Sequence, residues 1–389
     1  MNPAQDSPRG HRAERRRMFS FLMVVSTIFL SGTWFACATW DHFWEASVRS
    51  GWQAVPFVLT AAFIGSLMAG MRHASLLLRL AYRISAVWLG LLNFCLFAAA
   101  ACWIAIAASK VFGWGLDRRV IGTVFYGLAV LVSGGGFVNA AWLRVTRVSA
   151  RLPGLPQAWH GREVVLMSDL HLGNIRGAGF MRRVVNKVRS LKPYAVFVSG
   201  DMFDGPKGDY DRLVEPCRDL AAPAGVYFVT GNHEEFTDRA KFIAAIARAG
   251  VRVLHNEKVT VQGLQIVGVH DSEAGEPEQF RRILREAALD RRQASILLAH
   301  QPAHLPIAEE AGISLQVSGH THKGQFWPWS WVIYKVHGPF AYGLHRLGNL
   351  LVLTSSGAGT WGPPMRVGTK SEIVLLRLEC TPAPAEDAP

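Results

Sequence analysis

The sequence predicts an α-helical transmembrane bundle of four helices followed by an α/β domain. Three observations carry that expectation. Four long uncharged apolar runs crowd the first 143 of the 389 residues, short β-branched runs alternate with helical patterns from Val164 onward, and the turn-rich stretch Leu152-Pro153-Gly154-Leu155-Pro156 divides the two regimes. The boundaries that follow are a basic tail over 1–17, a transmembrane region over 18–143, a linker over 144–160, the α/β domain over 161–380 and a disordered Pro/Ala-rich tail over 381–389.

The apolar runs are Met18–Trp40, Trp52–Met71, Ile84–Ser109 and Val120–Leu143, and none contains Asp, Glu, Lys or Arg. A hydrocarbon layer takes about 20 helical residues to cross, and in lipid such runs can only be helices, because every backbone polar group must be paired internally. Trp34, Trp40, Trp44, Trp52, Trp103, Trp114 and Trp142 lie at or near the run ends, as an aromatic belt predicts. One run alone could be a buried core helix; four in succession argue against that.

Basic residues set the orientation. Arg9, Arg12, Arg15, Arg16, Arg17, Arg72, Arg79, Arg83, Arg144, Arg147 and Arg151 fall on one side, against Arg49, Lys110, Arg118 and Arg119 on the other. The richer side is expected to be cytoplasmic, giving a multi-pass protein of a bacterial-type inner or plasma membrane with a cytoplasmic α/β domain. Arg16-Arg17-Met18-Phe19 also has the look of a twin-arginine export signal, but a cytoplasmic tail explains the same arginines, and no obvious small-residue cleavage site follows.

Composition narrows the partners. With 50% hydrophobic and 18% charged residues the chain is no disordered polymer. Five cysteines, three of them (Cys37, Cys95, Cys102) inside apolar runs, exclude a disulfide scaffold. The net charge of +12 points to anionic lipid headgroups rather than nucleic acid, since residues 151–378 hold no basic stripe interleaved with aromatics.

Within the α/β domain, strands are expected at 164–168, 194–199, 226–230, 264–269, 295–299, 315–318, 350–354 and 372–378. Helices are expected at 179–190, 211–221, 237–249, 277–287 and 303–311. Metal-ligand residue types stand immediately after these strands: Asp169-Leu170-His171, Gly200-Asp201, Gly231-Asn232-His233-Glu234, His300, and Gly319-His320-Thr321-His322. Open α/β sheets place their sites on such strand-end loops. An isolated Asp-x-His or Gly-Asp says little, but the ordered series is specific.

That series resembles the calcineurin-like metallophosphoesterases, whose pattern is Asp-x-His, Gly-Asp, Gly-Asn-His-Asp/Glu, a single His, and Gly-His-x-His. The likeness covers roughly residues 160 to 378 with no motif missing, and the opening at 168–173 and the late Gly/Pro-rich segment at 357–366 are similar to a membrane-attached branch. It implies two central β-sheets flanked by helices and a metal-dependent phosphoric ester hydrolase. It further implies Asp201 as a carboxylate bridging two divalent ions, with Asp169, His171 and His322 completing one site and Asn232, His300 and His320 the other. Two ions about 3.5–4 Å apart can clamp a phosphate, acidify a bridging water and stabilise the leaving oxygen. Mixed nitrogen and oxygen donors suit Mn, Fe or Zn better than Mg or Ca.

The remaining residues are weighed singly. His233, the motif histidine without a metal assignment, is expected beside the substrate phosphate as the acid for the leaving oxygen, against a capping or core role. Glu234 orients His233 or caps the following helix. Lys323 replaces the glycine that often follows the last motif histidine and either meets a phosphate or faces solvent; Arg366 either makes a bidentate phosphate contact or is a surface charge. His270-Asp271 is a candidate support for the ligands, and His304, His337 and His345 read as structural. The segment Gln325-Phe326-Trp327-Pro328-Trp329-Ser330-Trp331-Val332 is hard to place on a soluble surface. It is expected as a loop that dips into the cytoplasmic leaflet and offers a lipid-linked phosphoester to the metals, with Trp327, Trp329 and Lys323 against the substrate. Packing under the sheet or against the transmembrane helices is the competing placement.

The expected function is thus a membrane-anchored dinuclear-metal-dependent phosphoesterase for a phosphomono- or phosphodiester, lipid-linked ones included. A catalytically silent metal-binding or regulatory module is the alternative, disfavoured because no ligand is replaced. A channel or transporter is disfavoured because the runs hold no charge; helix packing accounts for Asn93 and Asn139.

Overall fold

The computed structural model describes residues 8–44, 51–70, 73, 75–205, 208–235 and 239–381, with 8–19 and 21 as backbone alone. The ends of both expected tails, 1–7 and 382–389, and Arg49 and Arg72 of the charge argument lie outside the described residues. The chain divides into two compact units, 1–134 and 135–389.

The first unit holds α1 (Pro8–Trp44), α2 (Ala54–Gly70), α3 (Leu76–Phe112) and most of α4 (Arg118–Ala141). Among the described residues three helices are long and apolar enough to cross a membrane: Leu22–Trp44, Leu76–Phe112 and Arg118–Ala141. α2, the second of the four expected spans, has 17 residues, about 25 Å at the helical rise, and falls just short of that length. A turn in which Ala54 N donates to Gly51 O takes the first residues of that apolar run. α3 starts well before its own run because Ser75 caps it, its Oγ accepting from Leu78 N. Polar clasps join the helices where apolar contact alone discriminates little: Thr33 and Thr60 hydroxyls meet at 2.9 Å, Trp88 Nε1 donates to Thr60 Oγ1, and Tyr126 O–H donates to Ala36 O. Trp40 stacks on Trp44 at 3.8 Å and meets Tyr126 edge-on, so these two belt candidates belong to an aromatic cluster.

The second unit contains β1 (Leu143–Leu152), β2 (Glu163–Met167), β3 (Leu172–Gly173), β4 (Ala195–Ser199), β5 (Phe203–Asp204), β6 (Val226–Val229), β7 (Arg252–Val253), β8 (Glu257–Val261), β9 (Leu264–Gly268), β10 (Ser295–Leu298), β11 (Leu315–Ser318), β12 (Gly343–Leu347), β13 (Leu350–Thr354) and β14 (Ser371–Cys380). Its helices are α5 (Ala178–Leu191), α6 (Tyr210–Val214), α7 (Asn232–Glu235), α8 (Arg239–Arg248), α9 (Asp271–Ala274), α10 (Pro277–Glu286), α11 (Leu305–Ala311) and α12 (Trp329–His337). Two six-stranded sheets run β1-β14-β2-β4-β6-β7 and β12-β13-β11-β10-β9-β8, and β3 pairs with β5.

The sheets are buried on both faces, which is why their central strands read as unbroken apolar runs. Trp159, Leu166, Phe197, Ile266, Ile296, Val317 and Leu353 fill the space between them. Alternate residues point outward: Val196 and Val198 meet Phe180 and Val184 of α5 and Phe242 of α8, while Val267 and Leu297 meet Phe280 and Ile283 of α10 and Leu305 of α11.

Three expectations change here. Residues 144–152 of the expected linker, with Leu143 from the end of the expected transmembrane region, form β1, paired in parallel with β14 from Leu143↔Ser371 to Leu152↔Cys380; Ala150 and Leu152 face the core while Arg147, Ser149 and Arg151 face out. The aromatic segment read as a loop becomes helical from Trp329. Asn139, assigned above to helix packing, instead donates through Nδ2 to the carbonyls of Arg366 and Thr369.

Candidate active site

The candidate ligands follow the C-terminal ends of parallel strands in both sheets: Asp169 and His171 after β2, Asp201 after β4, Asn232 and His233 after β6, His300 after β10, His320 and His322 after β11. Asp169, His171, Asp201, His320 and His322 all have left-handed backbones, with φ between 48° and 68°. Each costs about 1–3 kcal/mol outside glycine, and such clustering marks a place where side-chain direction outranks backbone comfort. The flanking glycines admit no side chain: a Cβ on Gly231 would stand 2.2 Å from Asp201 Oδ1, and one on Gly319 2.3 Å from Asp169 Oδ2.

Among the described residues, three groups bring ligand atoms within 4.8 Å of one another: Asp169, His171 and His322; His171, Asp201 and His233; Asp201, His300 and His320. Nε2 of His171 faces Nε2 of His322 at 3.0 Å. Asn232 Oδ1 lies 2.9 Å from His320 Nδ1 and 3.2 Å from His300 Nε2. Asp201 Oδ2 lies 3.2 Å from His300 Nε2 and 3.8 Å from His171 Nε2. Burial pushes His171 down to about 4, helped by His233, and His320 down to about 3, helped by His300; His322 lies well below its ordinary range for the same reason. Neutral rings offering lone pairs next to carboxylate oxygens are the donor set a divalent cation takes, so the residues fit the metals that the motif series implies. Burial alone would raise Asp201, but His300 and then His233 and His171 hold it below the ordinary carboxylate range.

His233 stands at the edge of this cluster with Nδ1 3.4 Å from Asp204 Oδ1 and Nε2 4.0 Å from Asp201 Oδ2. Against the lowering effect of burial, Asp204 and Asp201 raise it to about 9. Asp204 escaped the sequence reading; its only signal was a second carboxylate three residues after Asp201. Glu234 has a role not foreseen above. Its carboxylate accepts from the backbone N–H groups of Asp201, Phe203 and Gly231, locking the loops after β4 and β6 together.

Arg366, offered above as a phosphate contact or a surface charge, is fully buried, which excludes the surface charge. Its guanidinium donates to the carbonyls of His322 (3.2 Å), Ser356 (2.6 Å) and Gly359 (2.7 Å). The 356–359 loop in turn holds Asp169, whose carbonyl accepts from Gly359 N. Lys323 takes a left-handed conformation, φ 51°, which explains why glycine suits this position; its Nζ lies 4.3 Å over the Tyr342 ring. His270 Nδ1 accepts from Thr230 N, and Asp271 accepts from Gln301 Nε2, bracing the strand ends that carry Asn232 and His300. His304 and His345 rings contact the carbonyls of Gly275 and Tyr342. Trp327 and Trp329 are half-exposed, and Trp361, unforeseen, lies edge-on to His233 at 6.4 Å between ring centroids.

The calcineurin-like phosphoesterase family model matches residues 163–324. The chain is 34% identical over 268 residues to the transmembrane protein with metallophosphoesterase domain of Bos taurus, covering 64% of this chain and 60% of that protein. It is 32% identical over 221 residues to an uncharacterized metallophosphoesterase of Helicobacter pylori, covering 56% and 59%. With an uncharacterized metallophosphoesterase of Aquifex aeolicus it shares 30% identity over 262 residues, 65% of this chain and 98% of that one. The chain therefore spans about 60% of the cattle relative and nearly all of the Aquifex relative. With strand-end ligands converging as described and a relative matched along almost its whole length, this chain belongs to the calcineurin-like metallophosphoesterase family.

Proposed function

We propose that the protein is a membrane-anchored phosphoesterase that hydrolyses a phosphomono- or phosphodiester with two divalent ions, Mn, Fe or Zn. Asp169, His171 and His322 would hold one ion, Asn232, His300 and His320 the other, and Asp201 would bridge them. The observation that carries this reading is Asp201, whose carboxylate is shared by two of the three ligand groups. Bound ions would supply positive charge to the phosphoryl oxygens and acidify the attacking water. His233 supplies the proton. With Asp204 at Nδ1, the imidazolium presents Nε2–H toward Asp201 and the ligand cluster, where a leaving oxygen can take it. The half-exposed ring of Trp361 beside His233 favours a substrate with an apolar portion, such as a lipid-linked phosphoester at a membrane surface. We place the catalytic unit in the cytoplasm, with α2 as the fourth span.

The test uses the full-length protein in detergent. Metal content, and hydrolysis of aryl phosphomonoesters and phosphodiesters, are measured before and after chelation and reloading with Mn²⁺. Activity is expected to track two bound equivalents, and Asp201→Asn or His320→Ala is expected to lose more than the roughly 10- to 100-fold of a supporting residue. Near-normal turnover by metal-loaded Asp201→Asn would refute the bridge; bound metal without turnover would favour a silent module.

A further inference from the structure

Beside the site lies an apolar strip that the hydrolytic reading leaves unused. α12 buries none of its residues. Trp329, Trp331, Tyr334 and Val336 are 50%, 61%, 57% and 69% exposed, and Trp361 is 58% exposed. Singly exposed apolar residues are ordinary, but several large ones on one short helix mark a contact surface.

The strip is tied rigidly to the mouth of the site. The buried Gln325 accepts from Trp361 N through Oε1 and donates through Nε2 to the carbonyls of Trp361 and Pro363, each at 2.9 Å. Trp327 N donates to Val367 O at 3.1 Å. Thus the loop that sets Trp361 beside His233 also anchors the entry to α12, and whatever covers α12 meets the site's rim.

Charge selects what covers it. Between Glu310 and Glu372 the sequence has no acidic residue, while Lys323, Lys335 and Arg346 are basic; Lys370 pairs with Glu372 at 3.3 Å. Lys335 lies with Nζ 5.4 Å over the Trp331 ring, so its ammonium rides on the aromatic strip as an interfacial lysine does. Exposed indoles and a tyrosine on a helix that carries Lys335 and no acid match the headgroup layer of an anionic bilayer, and the same chain carries helices apolar enough to keep a bilayer at hand.

Resting on the phosphoesterase reading, we propose that α12 and Trp361 seat on an anionic lipid surface, so that the site takes phosphoester headgroups from lipids that remain in the bilayer. The indole rings occupy the interface, Lys335 pairs with headgroup phosphates, and His233 and the metal ligands face the headgroup plane.

The test uses the full-length protein in lipid nanodiscs. Cys37, Cys95, Cys102 and Cys217 are buried, so with Cys380→Ser a probe cysteine can be labelled selectively. An environment-sensitive fluorophore on Trp331→Cys is compared with one on Arg189→Cys in the last turn of α5, using lipids brominated near the headgroup end of the acyl chain. Strong quenching at 331 and none at 189 is expected; equal quenching overturns the proposal. In parallel, phosphatidic acid in the disc is expected to slow turnover of a soluble aryl phosphate by competing for the site. Trp331→Ser with Val336→Ser is expected to relieve that competition roughly 100-fold or more, as loss of two apolar side chains from the lipid contact implies, while leaving turnover in discs without phosphatidic acid unchanged. No competition, or equal loss of turnover in both discs, overturns it. If the metal-loaded wild type turns over no aryl phosphate, the phosphoesterase reading fails by itself, and the quenching still reports on the lipid contact.

Discussion

Asp204 Oδ1 stands 3.4 Å from Nδ1 of His233, on the side of the ring away from Asp201 Oδ2, which lies 4.0 Å from Nε2. Two carboxylates thus bracket one imidazole and keep it charged against the opposing effect of burial. On the proposed mechanism Asp204 acts through His233, by orienting the ring and holding its proton.

Replacing Asp204 with Asn should therefore lower turnover about 10- to 100-fold, the range for a residue that supports a catalytic group, with metal content unchanged. The sign of the pH effect follows: Asp204 raises His233, so its loss lets the proton leave at lower pH, and the alkaline limb of the rate profile moves down from about 9. An aryl phosphate with a good leaving group should be affected far less than an alkyl phosphate. Equal loss on both would mean that Asp204 serves the fold rather than the proton.

Arg366 should prove a positioning residue for His322 and Asp169. Arg366→Met leaves several buried carbonyls unpaired, at about 1–3 kcal/mol each, and should weaken binding of one of two metal equivalents about 10- to 100-fold. Arg366→Lys should rescue poorly, because an ammonium cannot span the carbonyls of His322, Ser356 and Gly359 as the planar fork does. Metal titration of the three proteins checks this; two unchanged equivalents in Arg366→Met would contradict it.

His270 should make the fold acid-sensitive. Burial, with Arg239 and His255, pushes it down to about 3 against the pull of Glu273, whereas an unfolded histidine titrates near 6.5. A depressed histidine contributes stability that is full above the unfolded value and lost as pH falls toward the folded one. His270→Asn can keep an acceptor for Thr230 N and should flatten the pH dependence of the unfolding midpoint between about 6.5 and 4, by about 1 kcal/mol per pH unit. Parallel curves for the two proteins would exclude the buried neutral ring as the cause.

Topology turns on α2. If its 17 residues cross, a reporter active only outside the cytoplasm should work when inserted at 113–117, between α3 and α4, and fail at the carboxy terminus. The reverse pattern would mean that α2 does not cross, and that the catalytic unit lies outside; a twin-arginine route for residues 16–19 would then return.

Much of the architecture is written locally. The apolar runs and the strand-end series Asp169-x-His171, Gly200-Asp201, Asn232-His233, His300 and His320-x-His322 are legible because burial on both faces forces unbroken apolar strands, and because each ligand follows its strand by two to four residues. β1 was legible in principle, since Val148, Ala150 and Leu152 alternate with Arg147, Ser149 and Arg151. Its arginines also satisfied the charge rule for a loop, and only pairing with β14 settles the matter. The direction of a long polar side chain is different in kind. Whether Arg366 meets a phosphate or carbonyls depends on which loops close over it, and Glu234 finds its donors in loops from other strands. A charge taken out of water must find partners wherever the fold brings them, so residue type and spacing determined which groups surround the site, and tertiary packing decided which of them face the substrate and which hold the ligands in place.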